Sequence, residues 1–130
     1  MRNEALEAFE SRLGECLHAI DRTLEARHGE TFRRHPARPA EGTTANPEYD
    51  GLFSLIANFS AGIGSALGPG YTLSLRISTL EAVPEEVRNA WEEEAMGLLR
   101  EQLPTLFPNR ALTLHRDKYG WKLHGDLSLN

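Results

Sequence analysis

Histidine stands two residues before aspartate twice near the end of the sequence, at His115-Arg116-Asp117 and His124-Gly125-Asp126. Metal centres and acid–base pairs both use this combination. An imidazole ligates or carries a proton near neutral pH, and a carboxylate beside it fixes its orientation. His115, Asp117, His124 and Asp126 are therefore the candidates for chemistry. A second constellation is basic. Residues 27–38, RHGETFRRHPAR, carry Arg27, Arg33, Arg34 and Arg38 against Glu30 alone, although the whole chain has a net charge of −5. With Arg76 and Lys122, the arginines Arg33, Arg34 and Arg38 could hold an anion or track a phosphate backbone.

A third stretch, SAGIGSALGPG, places Gly62 and Gly64 where a backbone nest could cradle an anion. It lacks the Gly-Lys-Ser/Thr ending of a phosphate-binding loop. A strand pattern follows it, so no helix N-terminus points at a bound phosphate. A flexible connection between two strands is the plainer reading. No Gly-x-Ser-x-Gly elbow supports a serine nucleophile. The single cysteine, Cys16, excludes an internal disulfide framework and falls on a helical apolar stripe, which points to packing rather than reactivity.

The elements that must position these residues follow from periodicity. Leu6, Phe9, Leu13, Cys16, Leu17, Ile20 and Leu24 recur every three or four residues and predict a helix over 3–28. Residues 30–50 hold three prolines and little apolar material, which predicts a long irregular arm. Residues 51–60 predict a strand with Phe53, Leu55, Ala57 and Phe59 on one face, and a helical turn stays open there. In 70–79, Tyr71, Leu73, Leu75 and Ile77 alternate with Thr72, Ser74, Arg76 and Ser78, the pattern of a half-buried strand. Val87, Trp91, Ala95, Leu98, Leu99 and Leu103 line a second helix over 84–103. Glu92-Glu93-Glu94 falls on its wet side, and Pro104 and Pro108 end it. Residues 110–117 and 120–129 predict a hairpin.

A two-residue turn at Lys118-Tyr119 fixes the hairpin register. Asp117 faces Gly120, His115 faces Lys122, Thr113 faces His124 and Leu114 faces Leu123. A slip by one residue would expose several leucines, each worth roughly 2 kcal/mol when buried, so this pairing wins. The leucines and Trp121 then look inward, and all four His-x-Asp side chains look outward.

The expected fold is one α+β domain over 1–130, in the order α-β-β-α-β-β. It is a two-layer sandwich whose four-stranded mixed or antiparallel sheet carries two amphipathic helices on one face. Trp91 is expected near Trp121. The uncovered face would show Thr72, Ser74, Arg76, Ser78, Thr113, His115, Lys122 and His124. It differs from the base-stacking sheets of RNA-recognition modules, because Tyr71 and Trp121 belong to the inner face.

These features favour a non-catalytic binding or self-assembly module using the open sheet face, the first helix, or both, with a second copy of the chain as partner. Two other readings stay open: an anion or nucleic-acid binder through the arginine arm and glycine loop, and a metal-dependent enzyme at the hairpin. No metal or cofactor is assigned, since Lys122 opposite His115 would repel a cation. The N-terminus has no apolar signal core and no stretch reaches the roughly 18 apolar residues of a membrane helix. A cytoplasmic location and no membrane partner are expected.

Overall fold

A computed structural model describes residues 4–44, 46, 49–60, 70–118 and 120–125. Its elements are α1 (Glu4–His28), β1 (Phe53–Ser60), β2 (Gly70–Ile77), α2 (Glu85–Leu106), β3 (Leu112–Asp117) and β4 (Gly120–Gly125). They form the expected α+β arrangement, with two helices packed against a four-stranded sheet.

The strand order is β1-β2-β4-β3, and every neighbouring pair is antiparallel. Two successive antiparallel pairings make β2 and β3 parallel, with β4 inserted between them. α2 links β2 to β3 across that gap, and β1 and β3 are left as the edges.

The core assembles from the predicted stripes. Phe9, Leu13, Cys16, Leu17, Ile20 and Leu24 of α1 are buried, as are Leu73, Leu75, Ile77, Leu114, Trp121 and Leu123 of the sheet. Burial explains the cysteine. It pushes the Cys16 thiol up to about 11, and Sγ donates to Gln102 Oε1 at 3.1 Å, so the group is a core thiol at neutral pH.

Three expectations change. α2 does not stop before Pro104 but runs on to Leu106, with Pro104 inside it. The proline costs one backbone hydrogen bond, yet its φ suits a helix. The Phe107 N–H bonds Leu103 O at 2.9 Å, and the Phe107 ring stacks on Phe9 with centroids 4.5 Å apart. Burial of Phe107 carries the last turn past the break.

Trp91 does not meet Trp121. It stacks on His28 at 4.8 Å and meets Phe32 and Phe53 edge-on, at the β1 side of the sheet. Trp121 lies on β4 with the Arg100 guanidinium 5.8 Å from its ring. Two tryptophans on inner stripes need not be neighbours, because stripes give a face and not a position along the sheet.

Glu94 is not simply a solvated carboxylate. It accepts from His28 Nε2 and Arg27 Nη1, both at 3.0 Å, and ties the end of α1 to α2. Burial pushes its pKa up, but the two donors outweigh that and hold it below the usual range.

Candidate functional site

The β3–β4 hairpin has the register read from its leucines: Thr113 opposite His124, Leu114 opposite Leu123, His115 opposite Lys122 and Asp117 opposite Gly120. Leu114 and Leu123 are buried under the helices, and His115, Lys122 and His124 emerge together on the other face. Strand alternation alone produces that sorting.

The two histidines are closer than diagonal backbone neighbours require. His124 Nε2 lies 3.0 Å from His115 Nδ1, with ring centroids 4.8 Å apart and planes at 85°. One facing nitrogen therefore carries the proton and the other accepts it. Lys122 is bound to Asp117, Nζ to Oδ2 at 2.5 Å, and only 12% of its side chain is exposed. Asp126, the fourth candidate side chain of the two triplets, lies outside the described residues, as do Gly62 and Gly64.

The basic residues divide. Arg38 is a structural tie: its Nε donates to Gly51 O at 3.0 Å, and Nη2 donates to Asp50 O at 2.9 Å and Ser54 Oγ at 2.7 Å. Ser54 faces the open side of β1 and is buried, so the arm covers that corner of the sheet. Arg34 Nε donates to Arg38 O, and the Arg33 backbone N–H donates to Glu81. Arg34 pairs with Thr79 in an isolated bridge, and His35 N–H bonds Ser78 O, so this part of the arm is pinned just past the end of β2. As a result Arg38 and Arg76 line one shallow cleft of about 320 Å³ with His35 and Ser78. Arg33 and Arg34 are exposed outside it, and Lys122 belongs to the hairpin.

Asp50, at the far end of the arm, accepts from Thr44 N–H at 2.8 Å and Thr44 Oγ at 2.7 Å. Burial raises its pKa, and the Thr44 bonds with the nearby Arg38 charge more than cancel this, so it sits low.

Two further carboxylates were not suggested by spacing alone. Asp21 and Glu25, one turn apart on α1, reach the outer edge of β1. Asp21 Oδ1 accepts from Leu55 N–H at 2.7 Å, and Glu25 Oε2 from Leu52 N–H at 2.9 Å. They cover backbone donors that an edge strand otherwise leaves open. Asp21 is 2% exposed and its Oδ2 has no partner among the described residues. Burial pushes its pKa up to about 8, against the lowering effect of the Leu55 bond. The available signal was a carboxylate inside an apolar stripe, between Ile20 and Leu24.

Farther along the same edge lies a cleft of about 250 Å³ between α1 and β1, lined by Glu10, Gly14, His18, Ala57 and Tyr71 among others. Tyr71 O–H donates to Glu10 Oε2 at 3.0 Å at its side. No group of three or more metal-ligating side chains occurs among the described residues. Nor is any described helix long and apolar enough to cross a membrane.

Residues 4–125 match a protein family described as "Uncharacterised protein", and the chain belongs to that family. It is also 34% identical over 117 residues to an "Uncharacterized protein" of Borreliella burgdorferi, covering 90% of this chain and 91% of the relative. No solved structure matches the chain.

Proposed function

We propose that this family member is a non-catalytic binding module that recognises its partner, a second copy of itself, through the open face of the sheet. The observation that carries this reading is the segregation of the two layers. Both helices lie on one face. The other, away from the corner covered by Arg38, presents Ile56, Asn58, Thr72, Ser74, Thr113, His115, Lys122 and His124 on the four strands. Small hydroxyls and mixed polar groups that no described residue covers suit a flat, self-complementary contact, and a two-fold arrangement uses the same patch twice.

Sedimentation equilibrium over a wide concentration range tests it. The average mass should rise with concentration, and Ser74→Arg, which puts a long cation mid-sheet, should hold the chain monomeric without unfolding it. A strictly monomeric wild-type chain at high concentration rules the reading out.

A second reading, an anion site, has one observation in its favour: the arm folds back so that His35, Arg38 and Arg76 line the same cleft. The His35 Nδ1 accepts from Ala37 N–H at 3.0 Å, which leaves Nε2 as a donor. Because Arg38 holds the arm, Arg76→Ala is the informative substitution. It should weaken binding of inorganic phosphate and reduce its salt dependence. Phosphate affinity equal to wild type in Arg76→Ala would remove this reading.

A further inference from the structure

We propose that His115 and His124 form a bidentate site for a divalent transition-metal ion whose preferred ligand angles are near 90°, copper(II) above all. This goes beyond the binding reading and does not depend on it, since two residues of one copy supply both ligands. The facing nitrogens, His115 Nδ1 and His124 Nε2, are 3.0 Å apart. Two imidazole nitrogens on one metal at about 2.05 Å are about 2.9 Å apart at a right angle and about 3.3 Å apart at the tetrahedral angle. The observed gap corresponds to a ligand angle of about 94°, within reach of square-planar or octahedral coordination. The pair thus has the separation of a chelate before any metal enters, and metal entry replaces the hydrogen bond, both rings turning to aim their lone pairs at a shared point.

The charge objection raised by Lys122 is met by the structure. Its ammonium is bound to Asp117, and the pair is neutral as a unit. Among the described residues, the other cross-strand neighbours of this cluster are Gly70, Thr72 and Thr113, which carry no charge. The protons balance as well. In the neutral pair one facing nitrogen bears a hydrogen and donates it to the other. On metal binding that hydrogen moves to the far nitrogen of its own ring, both facing lone pairs are free, and no proton is released. The chain supplies two ligands, and water fills the other positions.

Copper(II) titration of the full chain, read by histidine ring resonances, tests the site. One equivalent should broaden His115 and His124 ahead of His18, His28 and His35. Either His115→Gln or His124→Gln should lower copper affinity about tenfold or more, and the double substitution should add little, because a chelate loses its advantage with the first ligand. Broadening confined to the other three histidines, or wild-type affinity in both single variants, would overturn the proposal. If a variant melts early without metal, the order of broadening in the wild-type chain decides.

Discussion

Asp21 is a buried carboxyl whose surroundings only partly offset its loss of water. Its carboxyl is buried in the apolar stripe of α1, with one oxygen on Leu55 N–H and the other without a partner among the described residues. Its pKa is raised from 3.8 to about 8. A raised acid pKa means the folded chain keeps a proton that the unfolded chain has lost. Stability should therefore fall as pH rises from about 4 to about 8, by on the order of 1.4 kcal/mol for each unit of the shift. Asp21→Asn keeps an acceptor for Leu55 and cannot ionise. Chemical denaturation at several pH values should show a flatter profile for the variant and a gain of a few kcal/mol at pH 9. A variant as pH-dependent as wild type would mean the carboxyl is solvated. Glu25 is shifted in the same direction by burial and contributes with the same sign.

Two elements end in ways that substitution can probe. Gly125, the last residue of β4, has φ +127, and a Cβ there would lie 2.2 Å from Ala111 O. Both the backbone conformation and the space exclude a side chain. Gly125→Ala should cost about 2 kcal/mol or more and loosen the start of β3, read as lost amide protection at Leu112 and Leu114. Pro104 presents the opposite case. It is exposed inside α2 and removes one helical hydrogen bond, while Phe107 restores the pattern three residues later. Pro104→Ala should raise the melting temperature, with a gain of about 1 kcal/mol or more. An unchanged or lower melting temperature would show that the ring itself is needed there. The edges of the sheet are treated alike: Asp21 and Glu25 cover β1, and Arg100 Nη2 donates to Leu114 O of β3 at 3.1 Å.

At the scale of the molecule, one hydrophobic cluster joins both helices and all four strands. Trp91 and Trp121 sit at different sides of it, one by β1 and one on β4. A single core implies a single transition. Fluorescence melts of Trp91→Phe and Trp121→Phe, each leaving one reporter, should have the same width and, after allowance for each substitution's own cost, the same midpoint. Two resolved transitions in either variant would separate the halves of the cluster.

The hairpin register, the inner stripes of both helices and the outward placement of His115 and His124 were legible in the sequence. Each follows from a local period of 2 or 3.6 and a burial energy large enough to choose a face. Sequence alone ends α2 too early, because a proline's local cost is visible in sequence, whereas the burial of Phe107 that offsets it is not. The closeness of the two imidazoles, the covering of Ser54 by Arg38, the meeting of Arg38 with Arg76, the insertion of β4 between β2 and β3, and the placement of Trp91 by His28 required the tertiary structure. Each depends on segments distant in sequence meeting, or on side-chain geometry within a face. Periodicity selects a face but carries no information about which neighbour stands opposite it or how far apart two atoms come to rest.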